Sequence, residues 1–330
     1  MADDPQQRAA TLLPKVAVLR QQLRSQVIGQ DGLIDDLLVA LLAGGHVLLE
    51  GLPGLGKTLL VRELARGLGL DFARIQFTPD LMPSDVTGTQ VLDEEGSTRR
   101  FRFQSGPIFA GLVLADEINR ATPKTQSAML EAMQERSVTV AGVTHILPRP
   151  FHVVATQNPV ELEGTFPLPE AQLDRFLFRL DVKTPSAAAM VQILASTTAG
   201  ESVAAMTRLD AMDLLALQHL VRDVLCGGHL LKFVAELVLA THPDRADSTD
   251  RTRRFVRYGA SVRAGQAIVL GAKARALLAG RPAVVRADLD ACLLPALGHR
   301  VLLSFEADAE RVRVDDLLAD WRTAAERRSS

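Results

Sequence analysis

One eight-residue segment constrains this chain more than any other. Residues 51–58 read Gly-Leu-Pro-Gly-Leu-Gly-Lys-Thr and match the pattern GxxxxGK(S/T) in full. The apolar run His46–Glu50 before the segment predicts a buried strand, and the spacing of apolar residues over Lys57–Leu68 predicts a helix. In that setting the glycines let backbone N–H groups surround phosphate oxygens, and the helix N-terminus adds partial positive charge. The segment is therefore predicted to be a phosphate-binding loop rather than a chance glycine-rich turn.

Two side chains at the end of this loop have separate predicted roles. Lys57 is expected to reach the β- and γ-phosphates of a nucleotide, and the Thr58 hydroxyl is expected to coordinate Mg²⁺. The loop therefore predicts ATP and Mg²⁺ as ligands. Its predicted nucleotide-binding residues are Gly51, Pro53, Gly54, Leu55, Gly56, Lys57, Thr58 and Leu59.

A second apolar run ends in two acids. Leu112–Ala115 predicts a buried strand, and Asp116 and Glu117 follow directly. Ligands of open α/β sheets bind at the carboxyl ends of the strands, which is where these acids would lie. Asp116 is predicted to hold Mg²⁺ through water, and Glu117 to orient and deprotonate the water that attacks the γ-phosphate. The loop and the acids together predict Mg²⁺-dependent ATP hydrolysis.

Strand and helix patterns alternate through the first half of the chain. Besides His46–Glu50, short apolar runs predict strands at Ala73–Phe77, Leu112–Asp116, His152–Thr156 and Arg179–Val182. Buried strands that alternate with helices predict an α/β fold, in which a parallel sheet has helices on both faces. Because only 4% of the residues are aromatic, the core is expected to consist mainly of Leu, Val and Ala.

The composition changes after Pro185, where the chain becomes rich in Ala and Leu with helical spacing. We therefore expect an N-terminal helical lead-in over residues 1–24, an α/β nucleotide-binding domain over 25–184 and an all-helical lid domain over 185–330. The charged tail from Arg322 onward is expected to be frayed.

Two insertions interrupt the α/β pattern, near residues 83–109 and 138–147. Both contain alternating polar and apolar residues, and the second is predicted to be a β-hairpin with Gly142 in its turn. Neither is expected to belong to the core. The residues alone leave open whether they are functional elements or merely exposed loops.

Bulk properties narrow the possible functions. The chain carries 37 basic and 39 acidic side chains, which is unlike the strongly basic footprint of a general nucleic-acid binder. No apolar run approaches the roughly 18 residues of a transmembrane helix, and the N-terminus lacks a signal-peptide pattern. No membrane segment and a cytoplasmic location are therefore expected.

Cysteine and histidine suggest no metal site. Cys226 and Cys292 lie in segments with helical spacing and are expected to be buried reduced thiols. The seven histidines show no zinc-binding spacing. His229, His299 and Arg300 are expected at helix surfaces or helix ends.

Several further stretches of the chain carry a resemblance. Besides the phosphate loop, they are Val27–Gln30, Arg74–Asp80, Pro83–Asp85, Pro107–Phe109, Asp116–Arg120, Ala155–Pro159, Glu163–Phe176 and Gly259–Ala264. Together they resemble one family, the MoxR family of AAA+ ATPases. The similarity is dense from residue 27 to about 182 and resumes near residue 259. It implies an AAA+ P-loop sheet followed by a helical lid, in which the two insertions face a central channel or partner proteins.

The resemblance implies roles for three further polar residues. Asn158 matches a sensor that hydrogen-bonds the γ-phosphate or the attacking water, although the residues alone would favour a turn former. Arg175 matches the arginine finger, which contacts the γ-phosphate bound by the neighbouring subunit. Its alternative is a solvated arginine at a helix end. Arg263 matches a second sensor on the lid, and the sequence leaves open whether it acts within its own subunit or on a neighbour.

Other matches leave more than one interpretation. Val27 and Ile28 are expected either to line the adenine pocket or to be ordinary core. Arg120 is a candidate to face a subunit boundary. The family pattern has proline where this chain has Val262, which is expected to loosen the turn before Arg263.

Three functions of different classes remain. The favoured one is an ATP-driven, chaperone-like remodeller that acts as a ring, expected to be a hexamer. The resemblance implies a client protein, often one with a von Willebrand A domain. In the expected mechanism, ATP binds in a cleft closed by the next subunit, and phosphate loss makes the two domains rotate. The alternatives are a nucleic-acid or chelatase-type motor subunit and a nucleotide-switched scaffold with little turnover.

One basic cluster bears on the nucleic-acid alternative. Arg251, Arg253, Arg254 and Arg257 lie beside Tyr258. We interpret them as a solvated or subunit-facing segment, with nucleic-acid contact as the competing interpretation.

Overall fold

The predicted sheet is present in a computed structural model of the chain, which describes residues 5–95, 98–159, 164–198 and 209–329. The described strands, in chain order, are β1 (Val47–Glu50), β2 (Phe72–Gln76), β3 (Gly88–Glu95), β4 (Thr98–Ser105), β5 (Leu112–Asp116), β6 (Ser137–Val140), β7 (Val143–Ile146), β8 (His152–Gln157), β9 (Phe178–Asp181), β10 (Val256–Tyr258) and β11 (Leu302–Leu303).

Helices surround this sheet and form most of the second half of the chain. The described helices are α1 (Pro5–Gln26), α2 (Asp31–Leu42), α3 (Lys57–Gly67), α4 (Pro83–Thr87), α5 (Pro123–Glu135), α6 (Glu170–Leu173), α7 (Ala187–Thr198), α8 (Ala211–Asp223), α9 (Gly228–Ala240), α10 (Asp250–Phe255), α11 (Val262–Leu278), α12 (Arg286–Leu297), α13 (Phe305–Glu310) and α14 (Val314–Ser329). A single 3₁₀ turn, Ile118–Arg120, follows β5.

Five strands form the central sheet in the order β2-β5-β8-β1-β9, and every pairing is parallel. Alternate residues of β1, β5 and β8 point to two different apolar clusters. Leu48, Val113 and Ala155 belong to the cluster on the α5 side, whereas Leu49 and Leu114 belong to the cluster on the other side. Both faces are therefore covered, as expected for near-continuous apolar strands in a parallel sheet. The predicted α/β fold class is confirmed.

The second apolar cluster continues without interruption from the sheet into the helical half of the chain. It contains Phe178 of β9 and Cys292 of α12, and it also takes in the buried face of α1. A methyl group added at Gly271 of α11 would lie 2.5 Å from the Phe178 ring and 2.9 Å from the Cys292 sulfur. Helix α11 therefore packs against the sheet at a point where only glycine fits.

The two insertions are hairpins that contact each other. The first is α4 followed by the antiparallel pair β3–β4, and the second is the antiparallel pair β6–β7. The rings of Phe103 and His145 stack between them, with centroids 3.7 Å apart and planes inclined by 16°. The insertions therefore form one joined surface.

Most predicted elements are confirmed within a residue. Strands β2 and β9 each begin and end one residue earlier than expected. Some predicted parts lie outside the described residues: residues 1–4 of the lead-in, 96–97 of the first insertion, Glu163 of the family match, and residues 199–208 and 330 of the helical half. No helix of the described chain is both long and apolar enough to cross a membrane.

Two predictions are wrong, and a third holds only in part. Cys226 lies in the connection between α8 and α9 and is half-buried, whereas Cys292 is helical and buried as expected. His299 and Arg300 lie at the end of α12, as expected, but their side chains are buried and both make hydrogen bonds to the carbonyl of Phe176. The tail is not frayed: α14 continues to Ser329 with Ala325 fully buried.

Candidate functional site

The glycine-rich loop connects β1 to α3, as the pattern predicts. Gly54 and Gly56 both have φ of +79°, a left-handed conformation that side chains rarely adopt, and Gly56 caps the N-terminus of α3. Lys57 Nζ donates a hydrogen bond to the carbonyl of Gly51 at 2.6 Å, so its ammonium group lies over the loop. Thr58 is half-buried in the first turn of α3. The loop thus presents backbone N–H groups, an ammonium and a hydroxyl together.

The loop is held between two strands. Gly51 N–H donates to the carbonyl of Gln157, at the end of β8, at 3.4 Å. A methyl group at Gly51 would lie 2.9 Å from both Cβ and the carbonyl oxygen of Val182, just after β9. Burial raises the pKa of Glu50, the last residue of β1, although the nearby Arg179 opposes the rise. The carboxyl ends of β8, β1 and β9 therefore meet at the loop.

Asp116 ends the neighbouring strand β5 at the same edge of the sheet. It is 7% exposed, and both of its carboxylate oxygens are engaged. Oδ1 accepts a hydrogen bond from the Thr156 hydroxyl at 2.7 Å, and Oδ2 accepts from Arg74 Nη2 at 2.7 Å. The carboxylate is therefore fixed by one neighbour on β8 and one on β2.

Glu117 has an unusual backbone. Its φ is +57°, a conformation that costs a residue other than glycine about 1 kcal/mol or more. Its N–H donates to the Thr156 hydroxyl at 2.8 Å, and its carboxylate accepts from Gln76 at 2.9 Å and from Arg120 at 3.0 Å. Strain of this kind concentrates at functional sites.

Asn158 follows β8 directly and is buried, 6% exposed. Parallel pairing places β8 between β1 and β5, so Asn158 follows the strand that separates the loop from the acids. The fold thus brings Lys57, Thr58, Asp116, Glu117 and Asn158 to one edge of the sheet. Arg74, Gln76 and Thr156 also belong to this site and were not predicted from the sequence. Gln76 ends β2, Thr156 is the second-last residue of β8 and Arg74 is the middle residue of β2, so polar residues within predicted strands are the signal that could have found them.

Val27 and Ile28 lie in the turn between α1 and α2. Val27 is buried and Ile28 is half-buried. Gln30 donates to the carbonyl of Lys183 at 2.7 Å, which ties this turn to the segment after β9. A cavity of about 280 Å³ opens beside it, lined by Gln30, Lys183 and the lid residue Pro295 among others.

Arg175 and Arg263 lie elsewhere. They line a cavity of about 250 Å³ together with Arg136, Arg300 and His46. His46 precedes β1 and Gly51 follows it, so this cavity and the phosphate loop lie at opposite ends of the strand, separated by roughly 16 Å. The structure therefore separates the predicted site residues into two groups.

Asp174 contacts several residues around the cavity that Arg175 and Arg263 line. Its carboxylate accepts from the Ser261 hydroxyl at 2.9 Å and from Arg300 Nε at 2.8 Å, and Arg263 Nη1 lies 3.6 Å away. Arg175 is the next residue along the chain, and its Nε is buried with no hydrogen-bond partner in the described structure. The lid thus meets the sheet domain directly beside the predicted arginine finger.

The turn before Arg263 is held by a helix cap. Val262 is the first residue of α11, a position that suits the proline of the family pattern, and its side chain is exposed. Ser261 caps the helix, with its hydroxyl accepting from the Arg263 N–H at 3.1 Å. The cap holds the start of the helix without a proline.

The strand order, the loop between β1 and α3 and the acids at the end of β5 define a P-loop nucleotide-binding protein with a helical lid. A family model described as the ATPase family associated with various cellular activities (AAA) matches residues 46–178, and an AAA lid domain model matches residues 248–321.

Similar proteins identify the family within the P-loop nucleotide-binding proteins. The chain is 42% identical to chaperone MoxR1 of Mycobacterium tuberculosis over 88% of this chain and 76% of that protein. It is 34% identical to protein MoxR of Paracoccus denitrificans over 90% and 91% of the two chains. The crystal structure of a candidate ATPase from Cytophaga hutchinsonii superposes with a TM-score of 0.89 at 36% identity, covering 96% of both chains. The chain therefore belongs to the MoxR family of AAA+ ATPases.

Proposed function

We propose that this protein hydrolyses ATP at sites shared between neighbouring copies of itself, and that hydrolysis drives chaperone-like remodelling of a client protein. One observation carries the proposal. The residues suited to bind and cleave ATP lie at one end of β1, and the arginines suited to stabilise the departing phosphate lie at the other end. A complete site therefore needs a second copy of the chain.

The nucleotide half of the site uses the loop and the two acids. Backbone N–H groups of the loop and Lys57 bind the phosphates, while Val27 and Ile28 border the base. Glu117 accepts a proton from the attacking water, and Asn158 orients that water or the γ-phosphate. The site is closed by the arginines of the adjoining subunit.

The donor set near the loop fits Mg²⁺. Thr58 and Asp116 offer a hydroxyl and a carboxylate, which are the hard oxygen ligands that Mg²⁺ prefers. Among the described residues, no group of three or more His, Cys, Asp or Glu side chains could hold a metal ion by itself. That suits a cation held by one or two protein oxygens together with substrate phosphates. When bound, Mg²⁺ neutralises charge that develops on the phosphates.

The position of Arg263 favours action on a neighbouring subunit. It lies beside Asp174 and shares a cavity with Arg175, at the end of β1 remote from its own phosphate loop. Contact with its own nucleotide would require the lid to leave the apolar cluster that it shares with the sheet. We therefore propose a ring, as a hexamer, in which Arg175 and Arg263 act together in trans.

The insertions are the proposed client-binding elements. Their hairpins present exposed apolar side chains, including Leu92 and Phe101 on the first and Val143 and Ile146 on the second. Apolar groups exposed together on a joined surface are typical of protein contacts. A relative named as a chaperone supports a protein client, which we propose carries a von Willebrand A domain.

The basic cluster gives no support to the nucleic-acid alternative. Arg251 pairs with Asp320 at 2.8 Å, Arg254 with Glu306 at 3.4 Å, and Arg253 with Asp250 at 3.7 Å. Arg257 lies over the Tyr258 ring. Carboxylates within the chain thus already neutralise most of the charge that phosphates would need.

The proposal is tested by phosphate release from Mg-ATP over a series of protein concentrations, with Arg175→Ala beside the wild type. A shared site predicts activity per subunit that rises with concentration and falls about a thousandfold in the variant. Activity independent of concentration and of Arg175 would show a self-contained site. Turnover near zero at every concentration, with ATP still bound, would favour the nucleotide-switched scaffold.

A further inference from the structure

The cavity that holds Arg175 and Arg263 has an excess of positive charge. Arg136 and Arg300 also line it, and Asp174 is the only carboxylate among the described residues that line it. The single negative charge of Asp174 is shared by Ser261, Arg300 and Arg263, so it balances at most one of the four arginines. Arg300 is buried, whereas Arg136 is exposed at the cavity.

Arg136 makes no ion pair with any residue that the structure describes, unlike most arginines of the chain. Arg74, Arg120 and Arg263 each lie within 4 Å of a carboxylate. Within the described part of the chain, Arg136 has no carboxylate partner and the Nε of Arg175, in the same cavity, has no hydrogen-bond partner. These guanidinium groups are available to an anion. Planar, bidentate donors of this kind suit phosphate oxygens.

The backbone of Arg136 is a second, independent observation. The residue caps the C-terminus of α5 with φ of +53° and ψ of 31°, a position where glycine is usual. A side chain there costs about 1 kcal/mol or more, and such strain concentrates at functional sites. Retaining an arginine at this point is consistent with a role for its side chain.

Arg136 is also the joint between α5 and the second hairpin. Its N–H donates to the carbonyl of Ala132 at 2.9 Å, and its own carbonyl accepts from Leu147 N–H at 3.0 Å. Strand β6 begins at the next residue, Ser137. A force on the guanidinium would therefore be applied at the base of the β6–β7 hairpin.

We propose that Arg136 contacts the triphosphate bound by the neighbouring subunit, as a third arginine beside Arg175 and Arg263, and transmits the state of that nucleotide to the β6–β7 hairpin. This inference rests on the proposed shared site and adds a residue and a mechanical route to it. The ligand is a nucleoside triphosphate presented by a second copy of this chain.

The test is complementation between variants in one ring. Arg136→Ala alone should lower turnover at least about tenfold, and Arg136→Lys, which keeps charge but loses the bidentate fork, should fall between this variant and the wild type. Arg149→Ala is the matched control, since Arg149 is exposed on an adjacent cavity, and should keep its activity. Lys57→Ala subunits cannot use their own nucleotide but still offer Arg136.

Mixing equal amounts of Arg136→Ala and Lys57→Ala should restore about a quarter of the wild-type rate per subunit. Half of the subunits keep Lys57, and half of those lie beside a neighbour with an intact Arg136. The same mixture with Arg175→Ala tests the shared site itself. If activity is restored in the mixture with Arg175→Ala but not in the mixture with Arg136→Ala, the proposed role of Arg136 is wrong and the shared site stands. Restoration with neither would overturn the shared site and this inference together.

A second measurement follows the hairpin directly. A non-hydrolysable ATP analogue should slow hydrogen exchange of the amides of Val138–Ile146 in the wild type and in Arg149→Ala. In Arg136→Ala the same analogue should leave exchange in the hairpin unchanged while still protecting the phosphate loop. Equal protection of the hairpin in Arg136→Ala and the wild type would overturn the mechanical route.

Discussion

Arg74 and Asp116 form an ion pair between neighbouring strands, with Arg74 Nη2 2.7 Å from Asp116 Oδ2. The same Nη2 lies 2.7 Å from Gln76 Oε1, and Gln76 donates to Glu117 at 2.9 Å. Strand β2 therefore holds both acids of the proposed site from one side. Because a guanidinium and Mg²⁺ are both cations, Arg74 competes with the metal for Asp116.

Removing this competition should strengthen metal binding. Arg74→Gln is expected to lower the apparent dissociation constant for Mg²⁺ about fivefold, or ~1 kcal/mol, a modest value because Arg74 is half-exposed and screened by solvent. The measurement is a Mg²⁺ titration of the protein with a fluorescent ATP analogue. Arg102→Gln, which breaks an exposed ion pair with Asp93 on the first hairpin, is the control. An unchanged or weaker Mg²⁺ affinity in Arg74→Gln would contradict the competition.

Glu117→Gln should separate binding from hydrolysis. The amide keeps the size and the acceptor oxygen of the side chain but cannot take a proton from water, so turnover should fall at least about a hundredfold. Affinity for the ATP analogue should stay within about twofold, because the phosphate contacts come from the loop. Phosphate release and analogue binding measure the two effects, with Glu131→Gln on the exposed face of α5 as control. Turnover that survives would assign the base to another residue.

Buried histidines should make stability depend on pH. Burial, mainly, lowers the pKa of His46 to about 3 and of His152 to about 4, from 6.5. Below pH 6.5 the unfolded chain therefore binds more protons than the folded chain does. The stability that comes from burying the two neutral histidines is complete above pH 6.5 and is lost as the pH falls towards 4. At pH 5 the loss is ~2 kcal/mol for each histidine.

Urea unfolding between pH 7.5 and pH 5 measures this dependence. The double variant His46→Gln, His152→Gln should have a shallower slope, although His299, whose pKa burial also lowers, keeps part of it. His219 is exposed, so His219→Gln should retain the wild-type slope. A double variant with an unchanged slope would exclude these two histidines as the source.

The contact between α11 and the sheet can be tested with two glycines of one helix. A methyl group at Gly271 would lie 2.5 Å from the Phe178 ring, whereas at Gly265 it would lie 3.5 Å and 3.6 Å from Val234 and Val238. Gly271→Ala should therefore destabilise the protein by ~1–3 kcal/mol through overpacking. Gly265→Ala should be neutral or stabilising by up to ~1 kcal/mol, because alanine favours a helix. Chemical unfolding measures the free energy of unfolding of both variants. Equal values for Gly271→Ala and Gly265→Ala would mean that the structure around Gly271 relaxes to accept the methyl group.

Local patterns predicted the parts of the site that lie close together in sequence. The phosphate loop follows from eight consecutive residues, and the acids follow from the buried strand directly before them. Strands β1, β5 and β8 were predictable because each is a short apolar run buried on both faces, whereas β2 and β9, at the edges of the sheet, also contain exposed residues. The observed ends of β2 and β9 differ by one residue from the predicted ends, because backbone hydrogen bonding rather than hydrophobicity determines where a strand stops.

Contacts between distant segments could not be predicted in this way. Arg74 and Thr156 reach Asp116 only because β2 and β8 flank β5, and that order is not written in any local pattern. Arg300 was expected at a helix surface or a helix end; it lies at a helix end, but its side chain is buried against Asp174, 126 residues earlier. The side of the molecule on which Arg263 acts depends on how the lid packs, which a single motif does not encode.

The continuous apolar cluster has a consequence for how such a ring would do work. If the sheet and the lid of one subunit hinged apart, Phe178 would leave the pocket made by Gly271 and Cys292 and meet water. Each subunit is thus best viewed as a single stiff block. Motion would then occur at the interfaces between subunits, around the bound nucleotide, rather than between the sheet and the lid of one subunit.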